Sequence, residues 1–397
     1  MRFRSQVLSV LWATTQFLAA GAPAQSLTTP KIRKISPAPR TLPLTEFYDT
    51  PDPLPPGKPS ELIRFEPFDG YRLSSDFRVV RILYHSRSPA GKDVAVSGVV
   101  LIPDGTPPAG GWPVVAWAHD FTGSARACAP SLLKNLNEGP LLSMYLNAGY
   151  AVVASDYAGL GTNFPHAALD MRSNAVDVID SIPAARSALP QLGAKWVSAG
   201  YSQGGLVSLG VSEAESEIGD PNYLGALAIS GVANLQELYP SLAQGPSRAL
   251  LVFLAEGIKT VFPDFQVNQM LADNAIPMYH YVGHACDVSS IPQPSANEML
   301  KPGWESDRYV NDFFIRNSLG ARPARGPLIV ISGDADAEVP FALTSAAVAR
   351  LCGQKDHVLS IHYPGLNASA IIGNSANEQF SWLRARFAGL PAPGNCP

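Results

Sequence analysis

Gly200-Tyr201-Ser202-Gln203-Gly204-Gly205 is the stretch on which the reading of this chain turns. It has the form Gly-x-Ser-x-Gly, and its surroundings give that form meaning. The segment before it, Lys195–Gly200 (KWVSAG), has the short apolar character of a buried strand, and from Gly205 the pattern is helical. A serine set between strand and helix, flanked by small residues, occupies a sharp strained turn that exposes its hydroxyl. That turn falls at the carboxyl end of a strand, where open α/β sheets place their active sites. The backbone N–H of Gln203 is then a candidate oxyanion donor. A plain strand-to-helix turn would use the same glycines without any chemistry.

Outward from this point, strand and helix patterns alternate from about Arg78 onward. Phe77–His85 and Val94–Ile102 read as strands, a hairpin pair at one edge. Pro113–His119 (PVVAWAH) and Ala151–Asp156 are nearly continuous apolar runs, as strands buried on both faces are. Leu132–Ala148 has a helical period, as does Ser173–Leu189, in which Pro183 is expected to break or kink the helix. Further strands follow at Gly225–Ser230, Pro327–Ser332 and His357–Tyr363, and a last helix at Asn377–Phe387. This alternation predicts an α/β fold, a doubly wound and mostly parallel sheet. The long interval 235–320 carries Leu250, Leu251, Phe253, Leu254, Ile258 and Val261 on one broad helical face. It reads as a helical cap inserted between two strands, with a helix packed on the main core as the alternative.

Composition narrows the function. The chain has 397 residues, 46% of them hydrophobic, and a net charge of −4. It can bury a large core, and no run of Lys and Arg suggests a nucleic-acid surface. Arg2 and Arg4 precede an apolar run, Val7–Ala20, that ends at Ala22-Pro23-Ala24 before Gln25. That is the form of a secretory signal peptide over residues 1–24, and the run is too short for a membrane span. Residues 25–60 are rich in proline and read as an extended arm without the means to make a core. The α/β domain then occupies 61–397.

Export favours disulfides between the four cysteines, which allow three connectivities. Cys352 with Cys396 would tie the tail to the last part of the domain, leaving Cys128 with Cys286. A metal site at His280, His284 and Cys286 is the competing reading. Met278–Gly283 reads as extended, however, and residues four apart on a strand are separated by about 13 Å. That spacing excludes chelation by the two histidines.

A serine nucleophile needs an acid and a base, in this fold in the order Ser, Asp or Glu, His. Pro327–Ser332 runs into Gly333-Asp334-Ala335-Asp336-Ala337-Glu338-Val339-Pro340, so Asp334 and Asp336 both qualify as the acid. Capping of the helix after Pro340 is the bland alternative for either.

With these motifs in hand, the chain resembles the secretory lipase family. The resemblance rests on PVVAWAH with Thr122-Gly123 and Cys128-Ala129-Pro130-Ser131, on Ser155-Asp156-Tyr157-Ala158-Gly159-Leu160-Gly161-Thr162, on GYSQGG, and on GDADAEVP. It also extends to the ending, WLRARFAGLPAP before Cys396. The resemblance implies an α/β-hydrolase fold with a helical cap, hydrolysis of acyl esters, and the two disulfides Cys128–Cys286 and Cys352–Cys396. It selects Asp336 as the acid and a backbone N–H near Phe121 as the second oxyanion donor. Two departures stand out. Residue 120, where the resemblance leads one to expect glycine, is Asp120, and its charge would oppose an oxyanion unless the side chain points away. Position 368, where the base is expected, is Ala368 rather than histidine.

The other histidines substitute poorly. His362 is nearest but lies within a strand; His166 is a candidate lining residue; His119 reads as structural, and His85, His280, His284 and His357 as strand or surface residues. Asn367-Ala368-Ser369 matches a glycosylation sequon, read as accidental beside a bacterial-looking export signal. Without its base a triad enzyme keeps about 10³–10⁴ over water. A relocated base, an inactive relative and a chain altered at 368 all remain open. The reading is an exported carboxylic-ester hydrolase with nucleophile Ser202, acid Asp336 and oxyanion donors Gln203 and Phe121. A silent fold that binds an apolar ligand is the alternative, and fold analogy also permits peptidase or acyl-transfer chemistry. No metal or organic cofactor is implied. The partner is a small or lipid ester, with neither nucleic acid nor a membrane span, and contact with a lipid interface is left open.

Overall fold

The computed structural model describes residues 41–396 apart from 287, 289, 290 and 293. The expected signal peptide and residues 25–40 of the arm lie outside them. Among the described residues nine strands form one sheet: β1 (Leu62–Pro67), β2 (Phe77–Arg87), β3 (Asp93–Pro103), β4 (Trp112–Ala118), β5 (Ala151–Ser155), β6 (Leu192–Tyr201), β7 (Tyr223–Ile229), β8 (Leu328–Gly333) and β9 (Val358–Tyr363). Their order is β1-β2-β3-β5-β4-β6-β7-β8-β9. The first three pair antiparallel and join β5 antiparallel, whereas β5, β4, β6, β7, β8 and β9 run parallel. The hairpin β2–β3 is therefore one strand in from the edge, because Leu62–Pro67 adds outside it.

The helices are α1 (Gly139–Asn147), α2 (Met171–Ala188), α3 (Gln203–Ile218), α4 (Leu235–Gln244), α5 (Leu250–Val261), α6 (Ile276–Val282), α7 (Ala296–Met299), α8 (Arg308–Arg316), α9 (Phe341–Gly353), α10 (Ala368–Asn374) and α11 (Ala376–Phe387). Alternate strand residues feed two cores, as the period of two requires. Val115, Trp117, Val197 and Ile329 meet α1 and α11 on one face. Val114, Ala116 and Trp196 meet α2 and α3 on the other. This is the α/β-hydrolase arrangement. Helices α4 to α8 lie in the chain between β7 and β8, and α5 and α8 share a separate apolar cluster around Phe253, Ile258, Phe313 and Phe314. Among the described residues no helix is long and apolar enough to cross a membrane.

Four expectations change. The helix expected from Leu132 begins only at Gly139, because Leu136 and Asn137 take left-handed φ of 53° and 66° and Pro140 belongs to a first turn. Helix α2 continues through Pro183, with Ile182, Ala184 and Ala185 buried around it. Met278–Gly283 is helical rather than extended: Pro277 starts α6, and Met278 and Val282 fall on one buried face. A short apolar run does not distinguish the two by itself. The metal reading fails on other grounds, since Cys286 is bonded to Cys128 and no ligand cluster exists among the described residues. Finally, the proline-rich stretch does reach the core, where Phe47 and Tyr48 are buried and Tyr48 Oη lies 2.8 Å from Ser131 Oγ. Both expected disulfides are present, Cys128–Cys286 and Cys352–Cys396.

Candidate active site

Ser202 stands between β6 and α3 with φ +55° and ψ −122°, a backbone conformation that costs a non-glycine residue stability and lasts only where neighbours enforce it. Its N–H donates to Ile229 O at 2.9 Å, and its carbonyl accepts from Gly205 N. The glycines make the turn possible by close approach. A Cβ on Gly204 would lie 1.9 Å from Ala118 O, and one on Gly231 would lie 2.0 Å from Ser202 O. The turn is therefore pressed between the ends of β4 and β7.

Two cavities meet at Ser202. One, of about 390 Å³, is apolar, with Leu206, Leu235, Leu238, Leu242, Leu250 and Val339 in its wall beside Asp120 and Phe121. The other, of about 340 Å³, is polar and runs from Ser202 past Asp336 and Glu338 to Asn367 and Ala368. Asp336 thus faces the same space as Ser202. Its Oδ1 accepts from Glu338 N at 2.9 Å and Val339 N at 3.0 Å, and its Oδ2 from Ser230 Oγ at 2.5 Å. Asp334 turns elsewhere, with Oδ1 accepting from Gly365 N and Oδ2 3.4 Å from His362 Nε2. Ala368 opens α10 behind the N-cap Asn367, and its methyl leaves the polar cavity open.

The structure brings no histidine to Ser202 among the described residues lining these cavities. His362 stacks on Phe341, with ring centroids 4.0 Å apart, and faces Asp334. His166, expected as a lining residue, is buried with Nδ1 2.9 Å from Ala158 O and lines neither cavity. His119 is wedged between Asp120 O and Asp156 O and stacks on Tyr157. Burial pushes both His119 and His166 down to about 4, so each is neutral at physiological pH.

Asp120 gives the larger surprise, because its carboxylate does not point away. Oδ1 accepts from Phe121 N at 2.7 Å and from Gln203 N at 3.4 Å, the two N–H groups expected to hold an oxyanion. Ser202 stands directly before Gln203 in that turn, and it lines both cavities together with Asp120. Burial pushes Asp120 up to about 6, against the pull of those hydrogen bonds. Its own N–H donates to Glu138 Oε1 at 3.1 Å, and Glu138 is pushed to about 8 by burial and by the charge of Asp120. Sequence reasoning missed Glu138, which hides in a stretch that looked helical. It also missed Ser230, although a serine before glycine at the end of a strand was a signal; its φ of +57° marks a second tight turn.

These raised carboxyls make stability depend on pH. Burial holds Glu138 at about 8 and Asp177 and Glu213 at about 7, so the folded chain binds protons that the unfolded chain has released. Their contribution is complete below the unfolded carboxyl pKa of about 4 and is lost as pH rises through 7 to 8. The urea midpoint is expected to be higher near pH 5.5 than near pH 8.5, and a higher midpoint at alkaline pH would contradict this assignment.

Residues 135–395 match the sequence model of the secretory lipase family. The chain belongs to that family. Its fold is similar to that of Candida antarctica lipase A, at 17% identity and a TM-score of 0.77 over 90% of this chain and 89% of that one. The closed state of that enzyme aligns at 16% identity with the same TM-score. It is also similar to the rice cell wall degrading esterase LipA from Xanthomonas oryzae, at 20% identity and 0.66, over 84% of this chain and 98% of that one. At these identities the structural likeness carries the α/β-hydrolase fold and nothing finer. No curated protein matches the sequence. Membership in the secretory lipase family places the chain among carboxylic-ester hydrolases, and its two disulfides fit a protein that works outside the cytoplasm.

Proposed function

We propose that this secretory lipase relative is an exported carboxylic-ester hydrolase that acts through Ser202 and an acyl-enzyme. One observation carries the proposal: a serine held in a strained turn opens directly onto an apolar cavity of about 390 Å³. An ester lying with its acyl chain among Leu206, Leu235, Leu238 and Leu242 would present its carbonyl to Ser202 Oγ. The helices at about 235–320 act as the cap that encloses the chain, so acyl-length preference resides there. Gln203 N and Phe121 N stabilise the oxyanion once Asp120 releases them, and Asp336 is the acid that would orient a base in the polar cavity. Residues 1–24 direct export, and 25–60 form a proline-rich arm that joins the hydrolase domain's core at Phe47 and Tyr48.

The test is turnover of short- and long-chain aryl esters. Ser202→Ala is expected to lower kcat/KM at least about tenfold while leaving the melting temperature in place. Equal turnover by both forms, together with tight binding of an apolar probe, would instead support a silent lipid-binding fold. Ala368 and the Asp120 contacts favour that second reading.

A further inference from the structure

Asp120 is a half-buried titratable group that the serine mechanism above does not use, and it faces both cavities at Ser202. We propose that Asp120 is the general base that takes the Ser202 proton. The inference rests on the ester-hydrolase reading and names the proton acceptor within it.

Geometry comes first. A base must come within reach of the proton it removes, and the Asp120 carboxyl stands at the Ser202 turn: its Oδ1 accepts from Gln203 N, the N–H next to Ser202, at 3.4 Å, and both residues line both cavities. No histidine lines either cavity among the described residues, and Asp336 is engaged by Ser230 Oγ and two backbone N–H groups. The carboxyl is held rigidly, with Oδ1 on Phe121 N and its own backbone N–H on Glu138 Oε1. Its value of about 6 leaves it ionised at neutral pH yet more basic than an ordinary carboxylate.

The step balances without a co-reactant other than water. The Ser202 Oγ–H bond breaks and its proton passes to Asp120, while Oγ bonds to the ester carbon and the carbonyl electron pair moves onto oxygen. Collapse expels the alkoxide, which takes the proton from Asp120. Water then repeats the cycle on the acyl-enzyme and releases the acid. Protonation has a second consequence. A neutral carboxylic acid accepts hydrogen bonds more weakly than a carboxylate, so the proton transfer loosens Asp120 from Phe121 N and Gln203 N as the oxyanion needs them. The groups that face Asp120 are Ser202, Tyr201 and Gln203 at the end of β6 and start of α3, Asp336 and Glu338 after β8, Glu138 before α1, and Tyr157 and His119 after β5 and β4. None of these is a cation at neutral pH, so the negative charges nearby favour uptake of the proton.

The experiment is aryl-ester hydrolysis by the full chain and its variants, with melting temperature as the folding control. Asp120→Asn is nearly isosteric and can still accept from Phe121 N. It is expected to lower kcat about 10²-fold with little change in KM. Native kcat/KM is expected to rise with pH through about 6 and then level. Added formate is expected to restore part of the activity of Asp120→Ala. In a chain that also carries Ala368→His, the cost of Asp120→Asn is expected to shrink at least about tenfold, because the base is then supplied from the other side. Undiminished or faster turnover by Asp120→Asn would overturn the proposal, showing that the carboxyl only blocks the two donors, and would leave the Ser202 reading intact. Turnover that survives Ser202→Ala would fail the hydrolase reading itself. Absence of any Ser202-dependent turnover in the native chain above about pH 7 would overturn the base assignment as well.

Discussion

Histidine placed at position 368 is expected to raise kcat/KM toward aryl esters about 10²-fold, a gain of roughly 2.7 kcal/mol in transition-state stabilisation. Ala368 lies at the start of α10 and lines the polar cavity of about 340 Å³ that also contains Ser202, Asp336 and Asn367. An imidazole projecting from that position enters open space rather than a packed core, so the substitution should fold. Asp336 Oδ2 presently accepts from Ser230 Oγ at 2.5 Å, and it would have to share that oxygen with the new ring N–H. The gain should therefore increase further in Ala368→His combined with Ser230→Ala, if Asp336 is the residue that orients the ring. The steady-state rates of the native chain and both variants check this. No gain from Ala368→His, in a folded protein whose turnover depends on Ser202, would mean that Asp336 does not present a usable oxygen.

Removal of the Cys128–Cys286 disulfide is expected to be the most costly change to stability. It closes a separation of 158 residues, against 44 for Cys352–Cys396. In the chain-entropy account a closure of the longer kind is worth about 5 kcal/mol and the shorter about 1 kcal/mol less. Native strain commonly reduces such figures, so the double substitution Cys128→Ser with Cys286→Ser should cost about 2–5 kcal/mol by urea unfolding. It should also weaken activity, because the bond fastens the loop after β4 to the segment after α6. In that loop a Cβ on Gly123 would lie 2.3 Å from Ala285 O, and Ser124 N donates to the same oxygen. Phe121 sits on that loop and packs its ring edge-on against Phe253 of α5, 4.8 Å away. A loss smaller than that from Cys352→Ser with Cys396→Ser would show that packing, not the covalent closure, holds the loop.

Much of the fold was legible because its signals are local. PVVAWA and LIVIS carry unbroken apolar runs, and a strand covered by helices on both faces has no other way to be soluble. The turn at Ser202 was legible for the same reason: GYSQGG states both the strain and the space that relieves it. Where expectation failed, the local signal was ambiguous. Met278 to Val282 is too short for its period to decide between helix and strand, and the packing of both residues on the insertion's apolar cluster decided for helix. Residues 25–60 read as an arm without the means to make a core, yet Tyr48 reaches Ser131 and joins Phe47 in the core cluster under the sheet.

The site divides along the same line. Sequence by itself singled out Ser202 as the residue proposed to attack, because a strained Gly-x-Ser-x-Gly turn depends on neighbours within a few positions. It also determined that the expected histidine is absent, since Ala368 can be read off directly. Tertiary structure alone decided where the Asp120 carboxylate points. Its Oδ1 accepts from Gln203 N and so joins the ends of β4 and β6, while the Asp120 backbone N–H donates to Glu138 Oε1 on the approach to α1. A carboxylate's direction and basicity depend on the donors and the burial around it, and those are assembled only when the sheet brings its strand ends together.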